Sequence, residues 1–360
     1  MRRFLAQAAI AITALVASAA GAAPAAISQD PPIDRANPAS GGGLQFVSHG
    51  ERVNAQLYLP AGPGLHPTVI LLHGLPGNEQ NLDLARAIQR AGWGVITFHY
   101  RGSWGSGGKF TLEGGCDDVE SLLAEIRGPH GAEKWRADPK RIVVIGHSYG
   151  GFVAACASKR HPELVATGLI APWDINHDAR AFAKITAAEA KEKAASAFND
   201  VEGRLSGADA QSLMAAVRDN GASLDLAATA SSLARRPVLL ATATRDDPGD
   251  QAADFRAAIA RVQGASLTYR MFDTDHGFND QRIALETFVL EGWRLCPELP
   301  PDNASRPAYP LPGRRSPWSP GIRRQSLYRG ILQAISFAWS SSLWVFLRSS
   351  ERPDRPVLAR

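Results

Sequence analysis

The sequence predicts an α/β domain with a mostly parallel sheet of eight strands, helices on both faces and an inserted helical cap. Three observations predict it. Strand-length apolar runs alternate with helix-patterned segments from residue 44 to residue 296. Several of these runs, such as Thr68–His73 (TVILLH), are apolar throughout, as in strands covered on both faces. The alternation is broken once, over 174–236, where no strand signal occurs.

Leu44–Ser48 and Val53–Leu59 alternate apolar and polar residues around a His49-Gly50 turn, so they open the sheet as an antiparallel edge. After Thr68–His73, the segment Asn78–Ala91 carries Leu82, Leu84, Ala85 and Ile88 at helical spacing and meets Gly92 at its C-terminal end. Val95–His99 is the next strand and Cys116–Arg127 the next helix. Arg141–Gly146 (RIVVIG) runs as a strand into a small-residue helix, Tyr149–Lys159, followed by the strand Leu164–Ala171. The strand-free segment is Ala-rich, with helical stretches around 178–198 and 207–219. It falls between two sheet strands, where a cap over an active site is inserted in such folds. Pro237–Ala243, a helix over Gln251–Val262, the strand Ser266–Phe272 and the helix Gln281–Trp293 complete the domain.

With 45% apolar and 21% charged residues in a chain of 360, collagen-like and disordered classes are excluded. Cys116, Cys156 and Cys296 are too few for a disulfide framework and too far apart for a Cys-x-x-Cys metal or redox site. Basic charge is concentrated at the ends, where residues 301–360 hold ten Arg against three acids, while residues 23–300 are net acidic. A nucleic-acid partner is therefore not expected.

Residues 1–22 read as a signal peptide: Arg2 and Arg3 precede the apolar stretch Phe4–Ala17, and Ala20-Gly21-Ala22 offers a cleavage site. Export, to a periplasm or the medium, is the expectation, with no stable membrane insertion after cleavage. Residues 23–43, ending in Gly41-Gly42-Gly43, read as a flexible leader, and residues 297–360 as a Pro/Arg-rich tail outside the 44–296 domain.

The chemistry is carried by Gly146-His147-Ser148-Tyr149-Gly150, a G-x-S-x-G pentapeptide between an apolar strand and a small-residue helix. A serine on so sharp a turn is presented to solvent, and only small neighbours fit around it. A serine hydroxyl needs a base, and the base needs an orienting acid. His276 is the only histidine after residue 177, and it follows a strand, so it is the candidate base. Asp246 comes first off the preceding strand and is the preferred acid, with Asp247 as its alternative. The N–H groups of Tyr149 and of Leu75, in the His73-Gly74-Leu75-Pro76-Gly77 loop, are the candidate oxyanion donors. His73, Trp104 and Trp173 are candidate pocket residues, His147 adjoins the nucleophile without being needed as base, and Arg101 reads as a loop-holding residue. No metal-ligand spacing or phosphate loop is present, so no cofactor is expected.

The order Ser148, Asp246, His276 behind HGLPG resembles the α/β-hydrolase superfamily. Over about residues 45–295, YRGSWGSGG, GHSYGG, ATRDD and TDHGF are similar to the catalytic domains of the prolyl-oligopeptidase and dienelactone-hydrolase-like groups. The resemblance implies the α/β-hydrolase fold and a Ser-His-Asp mechanism. Two departures weigh against the narrower groups. His73 stands near the place where prolyl oligopeptidases carry an oxyanion tyrosine, and the nucleophile is Ser where dienelactone hydrolases use Cys. The expectation is an exported serine hydrolase acting on a small ester, with a short peptide or aminoacyl amide as second substrate class and acyl transfer as third. A binding protein on an inactive scaffold is the reading from outside enzymology, and the complete set of triad candidates argues against it.

Overall fold

The computed structural model describes residues 24–246 and 249–294. The signal-peptide and tail segments, Asp247 and Cys296 therefore lie outside the described residues. In chain order the elements are α1 (Ala25–Ser28), β1 (Ser40–Ser48), β2 (Glu51–Leu59), β3 (His66–Leu72), α2 (Leu82–Arg90), β4 (Gly94–Phe98), α3 (Gly114–Arg127) and α4 (Gly131–Trp135). They continue with β5 (Ala137–His147), α5 (Tyr149–Arg160), β6 (Ala166–Ile170), α6 (Ile175–Phe182), α7 (Ala187–Ala197), α8 (Ala210–Asn220) and α9 (Ala230–Leu233). Last come β7 (Val238–Arg245), α10 (Ala253–Ile259), β8 (Leu267–Asp275) and α11 (Arg282–Arg294).

The eight strands form one sheet in the order β1-β2-β4-β3-β5-β6-β7-β8. β2 is antiparallel to both neighbours, and every later pairing is parallel. The period of two along each strand divides the core. Ile70 and Leu72 of β3 join Ile142 and Val144 of β5 on the face covered by α3, α5 and α10, while Val69, Leu71, Val143 and Ile145 face α2 and α11. All seven residues of β3 are buried, as its unbroken apolar run requires.

The leader expectation is corrected at its end. Ser40–Gly43 already belong to β1, in register with Leu59–Gln56 of β2. Antiparallel pairing uses only backbone groups, so a glycine run with no apolar signal can still complete an edge strand. Upstream, Arg90 Nε donates to the Ala26 carbonyl at 2.6 Å, tying α1 to α2. The sequence offers no pairing for the cysteines; in the structure Cys116 of α3 and Cys156 of α5 form a single disulfide, with a Cα–Cα distance of 6.1 Å.

The strand-free segment forms α6 to α9 above the C-terminal ends of the strands. Its helices start as their sequences dictate. Asp174 caps α6 by accepting from the Asn176 and His177 amides, and Thr186 and Glu189 form a capping box on α7. Backbone bonds from Phe110 to Ser206 (2.9 Å) and from Trp104 to Arg204 (3.2 Å) fasten the cap to the loop after β4.

Candidate active site

β5 runs into α5 through Ser148, whose backbone stands at φ 57°, ψ −122°. An L-residue there is strained, and the surrounding contacts hold it. Its N–H donates to the Ile170 carbonyl of β6, and its own carbonyl accepts from Gly151 and Trp173, each at 2.9 Å. The flanking glycines are steric necessities. A Cβ on Gly146 would lie 1.8 Å from the Gly150 carbonyl oxygen, and one on Gly150 would lie 2.4 Å from that of Leu72.

His276 follows β8 and Asp246 follows β7, neighbours in the sheet. His276 Nδ1 lies 2.8 Å from Asp246 Oδ1. A carboxylate only accepts, so Nδ1 carries the proton and Nε2 is left as an acceptor. The Asp246 side chain is 13% exposed and that of His276 45%, so the acid is shielded while the imidazole faces the opening. Ser148, Asp246 and His276 all line one cavity of about 570 Å³ between sheet and cap. Ser148, Asp246 and His276 thus line the same cavity, and Asp246 is in hydrogen-bond contact with His276, while the alternative acid, Asp247, lies outside the described residues.

Leu75 lines the same cavity. Tyr149 is the first residue of α5, so its N–H has no helical carbonyl partner and lies at the positive end of the helix dipole. The Tyr149 side chain points away, donating its hydroxyl to the Leu112 carbonyl at 2.9 Å deep in the core, where burial pushes the phenol well above its usual range.

Of the three pocket candidates, only Trp173 lines the cavity. His73 is buried beneath the loop. Its Nδ1–H donates to the Gly74 carbonyl at 2.7 Å, and its Nε2 accepts from His99 Nδ1 at 3.2 Å. Burial holds its pKa down at about 4, so the ring is neutral and fills an interior position instead of a pocket wall. Trp104 is drawn off the cavity by its indole N–H, which donates to the Pro76 carbonyl at 2.6 Å. Arg101 holds the loop after β4: its Nε lies 2.5 Å from Asp118, a carboxylate with no exposure that also accepts from Ser48 at 2.6 Å.

Sequence reasoning missed the cavity floor. Asp178 accepts from the Trp173 indole at 2.7 Å and from Gln251 at 3.4 Å, and burial raises its pKa. Gln251 also accepts from the Asp174 amide at 3.1 Å, joining the start of α6 to the loop before α10. These partners stand 73 and 77 positions apart, so no local pattern announces them. Phe182, Phe198 and Val201 of the cap supply the apolar wall. His147, which the sequence marks as adjoining the nucleophile without being needed as base, is an interior residue and does not line the cavity. Buried beside the elbow, its ring centroid lies 4.7 Å from that of His276, and its Nε2 lies 2.8 Å from the His276 carbonyl oxygen.

A strand–elbow–helix serine, an acid-held imidazole and a cap-covered cavity can support acyl chemistry, and comparisons with known proteins point the same way. A model of the alpha/beta hydrolase family matches residues 69–288. The chain is 30% identical over 110 residues to a lysophosphatidylserine lipase, ABHD12, of Danio rerio, a match covering 30% of this chain and 27% of that protein. Its fold is similar to that of the acylaminoacyl peptidase of Pyrococcus horikoshii, with a TM-score of 0.55 and 15% identity over 74% of this chain and 43% of that one. It is also similar to an esterase of Pyrococcus furiosus, with a TM-score of 0.50 and 16% identity over 74% of this chain and 98% of that one. The chain thus spans less than half the length of the lipase and of the peptidase. With most of the sheet inside the family match, the chain belongs to the alpha/beta hydrolase family, and Ser148 stands on its strand–helix elbow.

Proposed function

We propose that the protein is an exported serine hydrolase that cleaves the acyl bond of a small carboxylic ester through an acyl-enzyme. The observation that carries this reading is the 2.8 Å contact between His276 and Asp246 on the wall of the cavity that Ser148 also lines. Ser148 attacks the acyl carbonyl as His276 Nε2 takes the hydroxyl proton. Asp246 holds the imidazole in the required tautomer and stabilises the cation that forms. The Leu75 and Tyr149 amides bind the oxyanion. His276 returns the proton to the leaving alcohol, which departs. Water then gives a proton to His276 Nε2 and attacks the acyl carbon. The bond from that carbon to Ser148 Oγ breaks, and His276 returns the proton to Oγ as the carboxylic acid leaves.

The ester reading is preferred because Trp173, Phe182, Phe198 and Val201 give the cavity an apolar stretch that fits an acyl chain, beside polar lining residues such as Asp178 and Lys193. The fold likeness to an acylaminoacyl peptidase keeps a short peptide or aminoacyl amide as the second reading. Export is favoured by the Cys116–Cys156 disulfide, since such bonds persist in oxidising compartments.

The test is a panel of chromogenic acyl esters of graded length run beside aminoacyl anilides. Faster turnover of the esters supports the reading, and preferential cleavage of the anilides reverses it. Export is tested by fractionating cells that express the full chain. Recovery of a shortened protein outside the cytoplasm supports it, and a full-length cytoplasmic protein contradicts it.

A further inference from the structure

We propose that His147 is a positioning residue for His276, the tie that fixes the base relative to the nucleophile beside it in the chain. The proposal rests on the reading of Ser148 as nucleophile and His276 as base. His147 precedes Ser148 directly, and its Nε2 meets the backbone carbonyl of His276 at 2.8 Å. That carbonyl can only accept, so Nε2 carries the hydrogen and Nδ1 does not. Nδ1 then has no hydrogen-bond partner among the described residues, although it is fully buried.

A half-satisfied buried imidazole is an expensive way to fill a core position, because a polar atom without a partner costs more than an apolar side chain of similar size. The one bond the ring does make is therefore where its contribution must lie. Burial holds its pKa down at about 3, so the ring keeps a single N–H and stays uncharged beside His276, where the base becomes cationic during catalysis.

The geometry shows what that bond accomplishes. Asp246 orients the His276 ring through Nδ1, but a ring held at one nitrogen still moves with its own backbone. Two side chains fix that backbone: His147 holds the His276 carbonyl, and Arg282 holds the Gly277 carbonyl at 3.0 Å. The Arg282 tie leads to α2, through Asp83 and Asn81. The His147 tie leads to the residue covalently bonded to Ser148. It therefore sets the distance and angle from which Nε2 reaches the serine hydroxyl, and a displacement of about 1 Å at such a contact can lower the rate on the order of 100-fold.

The experiment compares His147→Gln, His147→Asn and His147→Leu with the wild type on an activated ester, with thermal unfolding measured alongside. Gln can place an amide N–H near the position of Nε2, whereas Asn is too short and Leu has no donor. The expected result is kcat lowered about 10- to 100-fold in Asn and Leu, with KM changed less than about threefold. Gln should restore kcat to within about threefold of wild type. A merely structural role would move the unfolding temperature of all three variants without this split. If Leu fails to fold, the Gln–Asn pair still decides. Equal kcat in a folded Gln–Asn pair, whether high or low, overturns the proposal. His276→Ala is the separate control. If it retains wild-type turnover, the reading of His276 as base fails, not the tie alone.

Discussion

His276 Nδ1 lies 2.8 Å from Asp246 Oδ1, and the two residues come from adjacent sheet strands although thirty positions separate them in the chain. Parallel neighbours β7 and β8 end at the same edge of the sheet, so their following loops meet there. Asp246→Asn should keep the shape of the site and fail to hold the imidazole in the tautomer that leaves Nε2 as acceptor. The expected loss is about 10⁴-fold in kcat with a small change in KM, read from steady-state hydrolysis of an activated ester. A variant within tenfold of wild type would show that another group orients the base.

The elbow should not tolerate a single added methyl group. A Cβ on Gly146 would sit 1.8 Å from a carbonyl oxygen, and the crowding atom is backbone, which cannot swing aside. Gly146→Ala is expected to cost at least about 3 kcal/mol, or to prevent soluble expression. Urea unfolding of any soluble product measures this, and a variant of wild-type midpoint would contradict the packing described.

Removing the disulfide should destabilise without disarming. Cys116 and Cys156 close a loop of 40 positions between α3 and α5, and neither residue lines the cavity that Ser148 lines. Cys156→Ala, or treatment with reductant, is expected to lower stability by about 2–4 kcal/mol while leaving kcat nearly unchanged below the new unfolding transition. Thiol counting by mass spectrometry before and after reduction checks the pairing. Two freely alkylated thiols at 116 and 156 in the purified native protein would refute it.

Two buried imidazoles make stability fall as pH falls. His73 is held down to about 4 and His147 to about 3, both chiefly by burial, whereas the unfolded chain protonates histidine near 6.5. Between these values the unfolded state binds more protons than the folded state, so acid favours unfolding. The contribution is complete above pH 6.5 and is lost progressively toward pH 4 for His73 and toward pH 3 for His147. His73→Asn keeps a donor for the Gly74 carbonyl and removes one titrating group. It should flatten the stability–pH slope between 6.5 and 4 by up to about 1.4 kcal/mol per pH unit, read from urea midpoints across that range. An unchanged slope would mean that His73 is not held neutral in the folded protein.

The fold and the three polar side chains of the site were legible in the sequence because each rests on a local signal. Thr68–His73 reads as a doubly covered strand, and β3 is buried along its whole length. Gly146–Gly150 reads as an elbow because only glycine survives there. His276 was reached by elimination, and Asp246 by coming first after its strand. Other features are set by distance in space. Ser40–Gly43 carries no apolar alternation, yet it pairs with β2 through backbone alone. Cys116 and Cys156 meet because α3 and α5 pack side by side, which their spacing does not reveal. His73 and Trp104 adjoin the right loops, but hydrogen bonds to the Gly74 and Pro76 carbonyls turn them away from the cavity. Asp178 and Gln251 reach its floor only through cap placement.

The most direct test is covalent labelling of the native protein with a fluorophosphonate, comparing wild type, Ser148→Ala and His276→Ala. Wild type is expected to take up one equivalent of label on the peptide containing Ser148. Ser148→Ala should take up none, and His276→Ala should label at a rate lowered by several orders of magnitude. Stoichiometric labelling of a folded Ser148→Ala protein, or undiminished labelling without His276, would contradict the central claim.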